Sequence, residues 1–112
     1  MDESRVHPRY ALEIDAEIAL GEERFPARTR NVSSGGLSFL TDRPVAVGQD
    51  VTVTISLVFE EQAMSDPLPL RGRVVWCTPL DGGQHQVGVT FVALTGDQRV
   101  YIELFMRYVE DA

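Results

Sequence analysis

Residues 28–39, which read RTRNVSSGGLSF, contain the end of one strand, a turn and the start of another strand. Residues 24–30 have the mixed polarity of a strand with one face in water. The segment NVSSGG breaks this pattern with residue types that favour turns, because Asn and Ser bond to nearby backbone and Gly accepts unusual dihedral angles. GLSFLT (36–41) then resumes a short strand. The stretch predicts two antiparallel strands joined by a tight turn.

Strand patterns continue on both sides of this stretch. Residues 11–20 alternate with period two, which predicts one half-buried strand. Its apolar and acidic sides are Leu12, Ile14, Ala16, Ile18 and Leu20 against Glu13, Asp15 and Glu17. Segments 50–59, 70–77 and 87–94 also read as strands, with LDGGQHQ (80–86) as a hairpin connection. Gly72 and Gly88 inside strands indicate bulges, bends or close backbone approaches.

The end of the chain changes to the period of a helix. Apolar residues recur at i, i+3, i+4, i+7 and i+8, and predict a buried stripe of Tyr101, Leu104, Phe105, Tyr108 and Val109. Ile102 and Met106 widen the apolar face, and Thr95 or Asp97 could cap the first turn. We expect this face to pack against the rest of the domain, and a contact with a partner or second copy is the alternative.

Composition places the chain among globular proteins of one domain. The 112 residues are 44% hydrophobic and carry a formal net charge of −7, which argues against binding to nucleic acid or to an anionic membrane surface. The opening MDESRVHPRY lacks the apolar segment of a signal peptide, and no stretch reaches the length of a membrane span, so we expect a cytoplasmic protein. All ten basic residues are arginines.

Few residues suggest catalysis or a metal site. Cys77 is the only cysteine, which excludes an internal disulfide and a cysteine metal cluster, and its apolar neighbours favour a buried hydrophobic role. A Cys–His pair with His7 or His85 is formally possible, but no nucleophile–base order, paired carboxylates or phosphate loop stands out. We therefore expect no enzyme, no catalytic residue, no metal and no cofactor.

Two short motifs point instead to a binding site. Arg5 and Arg9 are four residues apart, so in an extended segment both guanidinium groups lie on one side and can grip phosphate oxygens or cover a planar ring. In the turn, Asn31 offers an amide to a base edge, Ser33 adds a hydroxyl, and Gly36 permits positive φ and close approach of a ligand. Each motif alone is common.

Together the motifs resemble the PilZ domain family, whose signature is RxxxR, an alternating strand, a second short strand and then NxSxxG, which here ends at Gly36. RVHPRYALEIDAEI resembles the family's opening, RNVSSGGLSF its second motif, and GRVVWC and HQVGVTFVAL its late strands. The resemblance implies an all-β fold, a six-stranded antiparallel barrel with a C-terminal helix. From the residues alone, a sandwich and a barrel both hide the strand edges. The implied organisation is one domain over residues 1–112: an arm (1–10), the barrel (11–94) and the helix (96–110).

The resemblance also implies a receptor for cyclic di-GMP, a dianion with two guanines. Arg5 and Arg9 would meet phosphates and guanine, Asn31 and Ser33 a guanine edge, and Gly36 would make room. Asn31 stands where many members carry aspartate, so we expect an altered affinity for the ligand but no loss of binding. Trp76 either stacks on a base or sugar or packs in the core. Further positive charge could come from Arg28, Arg30, Arg71 and Arg73, although ordinary surface charge explains each of them singly.

The expected function is that of an adaptor, which passes the second-messenger signal to an unidentified protein effector through a ligand-ordered N-terminal arm. The alternative is a PilZ-fold interaction module with weak or no cyclic di-GMP binding that acts in motility or surface-structure regulation. Its interface would be the acidic face of Glu13, Asp15 and Glu17 or the helix face of Ile102 and Met106. A monomer without DNA, RNA or membrane partners is the expectation in both cases.

Overall fold

Seven antiparallel strands and one long helix follow one another in the part of the chain that the structure describes. This structure is a computed structural model that describes residues 10–11, 14–55 and 67–111, with only the backbone at 10, 11, 105 and 108–111. The elements are β1 (Tyr10–Ala11), β2 (Asp15–Leu20), β3 (Glu23–Val32), β4 (Gly36–Thr41), β5 (Asp50–Ile55), β6 (Leu68–Pro79), β7 (His85–Phe91) and α1 (Gly96–Asp111).

Strands β2 to β7 close into a barrel. Their order around the barrel is β3, β2, β5, β6, β7 and β4, and a direct β3–β4 pairing joins the two ends. The two-residue β1 extends this sheet by pairing Tyr10 with Val32 at the end of β3. The predicted six-stranded antiparallel barrel with a C-terminal helix is thus confirmed. Closure removes the exposed edges that a six-stranded open sheet would present.

The strand predicted over residues 11–20 is interrupted, and Thr29 explains the interruption. Its buried hydroxyl accepts a hydrogen bond from the Ile14 amide at 2.9 Å, while the Thr29 amide donates to the Ile14 carbonyl at 2.9 Å. The Ile14 amide therefore bonds to a side-chain hydroxyl where a regular strand would offer it a backbone carbonyl. The prediction of one continuous strand was wrong here, because a buried hydroxyl must find a partner and can compete with the ladder.

Alternating residues of the strands fill the barrel interior. In β5, Val51, Val53 and Ile55 are buried, as the alternation predicted, while residues 56–59 of the predicted strand lie outside the described residues. The largest fully buried side chains are Phe39, Ile18, Leu37, Ile55, Leu70 and Ile102. Ile102 belongs to α1, so the helix closes the same core that the strands enclose.

The helix begins with the predicted cap at Thr95. The Gln98 amide donates to the Thr95 hydroxyl at 3.1 Å, and the Thr95 amide donates to the Gln98 side-chain oxygen at 3.1 Å, which is a reciprocal capping box. The side-chain Nε2 of Gln98 donates to the Pro69 carbonyl at 2.7 Å, which links the first turn of the helix to β6. Among the described residues, no helix has the length and apolarity needed to cross a bilayer.

The buried side of α1 differs from the predicted stripe. Ile102 and Met106 are buried, whereas Tyr101 and Leu104 are about half exposed. The side chains of Phe105, Tyr108 and Val109 lie outside the described residues. The prediction was wrong at Tyr101 and Leu104 because apolar residues cover most of the helix circumference, so periodicity alone allows more than one buried side. The interface proposed for Ile102 and Met106 is therefore excluded, since the barrel already covers them.

Candidate functional site

A row of four residues crosses four adjacent strands on the outside of the barrel. Asn31 in β3 pairs with Ser38 in β4, Ser38 with Gly88 in β7, and Gly88 with Trp76 in β6. Neighbouring strands lie about 4.8 Å apart, so the row spans about 14 Å along the sheet. It joins the turn motif to Trp76, which is far away in sequence, and forms the centre of the candidate site.

A bulge in β6 turns Trp76 outward. Val74 pairs with Val89 and Trp76 with Gly88, so Val75 is an extra residue between two consecutive positions of β7. Val74 is buried, but Val75 and Trp76 are 49% and 39% exposed. Without the extra residue, strict alternation would point Trp76 into the core. The structure therefore excludes core packing, which was one of the two interpretations of Trp76.

Gly88 provides the surface on which the indole rests. A Cβ at this position would lie 2.1 Å from Cε2 and 2.2 Å from Nε1 of Trp76, too close for any side chain. The ring therefore covers the backbone of β7 directly, an arrangement in which an aromatic residue shields a strand glycine. The sequence prediction of a bulge or close approach at Gly88 is confirmed.

The turn after β3 is held by Ser33. Its hydroxyl donates to the Gly36 carbonyl at 3.2 Å and accepts from the Gly35 amide at 3.3 Å, and its own amide donates to the Gly36 carbonyl at 2.9 Å. The side chain is 1% exposed. Ser33 thus shapes the turn, since its hydroxyl both donates and accepts within the turn itself.

Gly36 is needed for packing between strands. Its φ is not positive, so the left-handed conformation that glycine permits is not adopted at this residue. A Cβ there would lie 2.2 Å from the Val89 carbonyl oxygen, so the absent side chain makes room for β7. The residue still brings the turn close to the strand that carries Gly88.

The side chain of Asn31 is oriented by a residue that the sequence did not single out. Its Nδ2 donates to the Ser38 hydroxyl at 3.4 Å, and the Gln86 Nε2 donates to the same hydroxyl at 3.3 Å. Ser38 is buried between the two amides. With Nδ2 engaged in this way, the Oδ1 atom of Asn31 is available to accept from a ligand. A buried serine flanked by two amides becomes visible only once the strands are in register.

A groove of about 290 Å³ lies beside Trp76, between β4 and β6. Residues of β7 form its floor, and its lining consists of Gly35, Gly36, Leu37, Val75, Trp76, Gly88, Val89 and Thr90. It combines the aromatic wall of Trp76 with the half-buried Gly35 of the turn. Arg5 and Arg9 lie outside the described residues, but Arg9 immediately precedes Tyr10, whose pairing with Val32 sets β1 next to the turn.

Several arginines near the strands are neutralised by acidic neighbours. Arg73 Nε lies 3.1 Å from Asp50 Oδ1, Arg28 Nε 3.6 Å from Asp15 Oδ1, and Arg24 Nη1 3.4 Å from Glu17 Oε1. The positive field expected from Arg28 and Arg73 is accordingly reduced. The acidic face expected at Asp15 and Glu17 is reduced by the same pairs, while Glu13 lies outside the described residues.

Two further candidate groups contribute no site of their own. Arg30 and Arg71 are exposed on β3 and β6, and neither lines the groove. Cys77 is half-buried against the core and less enclosed than predicted. The β6 bulge turns it toward the core, since strict alternation from Val74 would have pointed it outward. Within the described residues, His, Cys, Asp and Glu form no group of three or more that could hold a metal ion.

A family model for the PilZ domain matches residues 3–110. The chain belongs to the PilZ domain family. The match spans both motifs, including Arg5 and Arg9, and every strand of the barrel. No curated protein sequence matches the chain.

Solved structures share the PilZ fold at low sequence identity. The PilZ domain of YcgR from Escherichia coli, solved with c-di-GMP, has a TM-score of 0.73 at 11% identity, over 97% of this chain and 94% of that one. The Bacillus subtilis inhibitor of motility MotI/DgrA has a TM-score of 0.77 at 18% identity, over 96% of this chain and 52% of that one. The K. pneumonia MrkH–c-di-GMP complex has a TM-score of 0.74 at 14% identity, over 95% of this chain and 52% of that one. The chain thus spans about half the length of MotI/DgrA and MrkH.

Proposed function

We propose that this protein is a receptor for cyclic di-GMP and that the groove beside Trp76, together with the RxxxR segment, forms its binding site. The row Asn31–Ser38–Gly88–Trp76 carries the proposal, because it places a hydrogen-bonding amide and an exposed aromatic face on one surface. Membership of the PilZ family supports it. So do the PilZ domain of E. coli YcgR and K. pneumonia MrkH, which were solved with this ligand.

Each residue has a role that suits the chemistry of the ligand. Arg5 and Arg9 bind phosphate oxygens and the O6 and N7 acceptors of guanine, for which the forked guanidinium is well shaped. The Asn31 Oδ1 atom accepts from the N1–H and N2–H₂ donors on the edge of a guanine. Trp76 stacks on a base, a contact that contributes about 1–3 kcal/mol per base in proteins that bind single strands. Ser33 and Gly36 keep the turn in the shape that these contacts need.

Calorimetric titration with cyclic di-GMP tests the proposal on the unmodified protein and on Arg9→Ala. Removal of a charged hydrogen-bond partner typically costs about 1.5–3 kcal/mol, so we expect the Arg9 variant to bind about 10-fold to 150-fold more weakly. The control is Arg24→Ala, which removes an arginine whose exposed ion pair with Glu17 lies away from the groove. Equal affinity of the Arg9 and Arg24 variants would refute the role of the arm.

The signal passes, in this proposal, to a protein partner. The ligand holds residues 1–9 against the barrel beside the turn, and this rearranged surface is what the partner recognises. A formal net charge of −7 favours a protein over nucleic acid as that partner. If the unmodified protein does not bind cyclic di-GMP, the alternative of an interaction module without ligand control replaces this proposal.

A further inference from the structure

The outer side of α1 carries an apolar surface that the barrel does not cover. Val100, Tyr101 and Leu104 are 54%, 43% and 52% exposed. Together with Asp97 they line a depression of about 250 Å³ on the helix surface. Leu104 and the buried Ile102 lie about 160° apart around the helix, so one side faces the core and the opposite side is apolar as well. We call the residues Asp97, Val100, Leu104 and Arg107 the outer stripe.

The outer stripe has opposite charges at its two ends. Asp97 lies in the first turn, Val100 and Leu104 follow, and Arg107 comes one turn later. At 3.6 residues per turn, the four side chains fall within about 80° of the circumference. Within the described part of the chain, neither Asp97 nor Arg107 forms an ion pair, unlike Arg28 and Arg73 on the strands.

We infer that the outer stripe binds a second copy of this chain, with the two α1 helices antiparallel. In that orientation Asp97 of one copy faces Arg107 of the other, and Val100 faces Leu104. Both pairs are centred on residue 102, so the two-fold axis crosses the helices at that level. A single register therefore satisfies the charges and the apolar residues together. Such self-complementarity is what an isologous dimer interface requires. A parallel pair would instead place the two Asp97 carboxylates side by side.

Other occupants fit the stripe less well. An anionic membrane is disfavoured because the protein carries a formal net charge of −7 and Asp97 borders the apolar residues. The barrel cannot cover the stripe, since Ile102 and Met106 already occupy the side of α1 that faces the core. A helix of 16 residues is about 24 Å long, so the contact is smaller than a standard interface and the dimer should be weak.

Sedimentation equilibrium at protein concentrations from about 10 µM to about 1 mM measures this association, a range that suits an interface below standard size. We expect a reversible monomer–dimer equilibrium for the unmodified protein. Leu104→Asp should weaken it at least tenfold, because the new carboxylate would be buried against Val100 of the other copy, twice in each dimer. The matched control Val47→Asp alters another exposed apolar residue, outside α1, and should leave the equilibrium unchanged.

Charge exchange tests the antiparallel register directly. Asp97→Arg and Arg107→Asp should each weaken the dimer, since every contact then joins like charges, and the double variant D97R/R107D should restore it. Asp81→Arg changes the net charge as Asp97→Arg does but lies in the hairpin between β6 and β7. A monomer at all concentrations, or no recovery in the double variant, would overturn the inference. A dimer that persists in Leu104→Asp would also overturn it.

Discussion

Ser38 shows how one buried hydroxyl can control the chemistry of a neighbouring side chain. It accepts hydrogen bonds from both Asn31 and Gln86, at 3.4 and 3.3 Å. An amide that donates through Nδ2 must present Oδ1 in the other direction, so Ser38 decides which end of Asn31 a ligand meets. The residue would not itself touch the ligand in this scheme. It is a positioning residue, and its effect on binding should run entirely through Asn31.

A double-mutant cycle on Asn31→Ala and Ser38→Ala, measured by calorimetric titration with cyclic di-GMP, isolates this effect. Ser38→Ala alone should weaken binding by about 0.5–1.5 kcal/mol, the usual net contribution of one hydrogen bond. In the Asn31→Ala background the same substitution should have no further effect on affinity. Additive losses would show that Ser38 acts on the ligand or on the fold by another route.

At the level of elements, the β6 bulge and the β7 glycine act as one unit. The extra residue Val75 turns Trp76 outward, and Gly88 gives the indole a surface to lie on. Glycine within a strand ordinarily weakens it, so the close approach of the indole offers a specific reason for glycine here. The same pair forms one wall and part of the floor of the proposed binding groove.

Gly88→Ala should destabilise the domain by about 1–3 kcal/mol, because its Cβ would occupy the space of the indole and force the ring away from β7. Urea unfolding followed by circular dichroism measures this change. Gly96→Ala is the matched control, since nothing lies within 4 Å of a Cβ at that position. The double variant G88A/W76L should recover part of the lost stability. Equal stability of Gly88→Ala and the unmodified protein would contradict the close contact.

Sequence patterns predict the positions of the strands and the helix better than they predict the irregularities within them. The alternation in β5 and the turn at NVSSGG predict strand positions well, because each depends on nearest neighbours in the chain. The interruption at Ile14 and the outward turn of Trp76 both arise from pairing with distant residues, Thr29 and Gly88. The buried side of α1 could not be predicted for a similar reason, since it depends on which side of the helix packs against the barrel core.

For the whole molecule, the two proposed surfaces belong to different elements. The groove lies on β4, β6 and β7, while the outer stripe lies on α1, and no residue lines both. The candidate site could be predicted in part from the sequence, because the motif residues come from a short stretch. Ser38 and Gln86 could not, since their 48-residue separation is bridged only by the β4–β7 pairing.

The N-terminal arm provides a test of signalling that involves the whole molecule. If cyclic di-GMP holds Arg5 and Arg9 through their guanidinium groups, trypsin cannot bind the same side chains, and cleavage after these residues should slow by at least tenfold at saturating ligand. Mass spectrometry of the time course identifies each cut. Cleavage after Arg107, in the helix, should proceed at an unchanged rate and serves as the internal reference. Equal rates after Arg5 with and without ligand, in a protein that calorimetry shows to be saturated, would exclude an arm ordered by the ligand while leaving the binding itself intact.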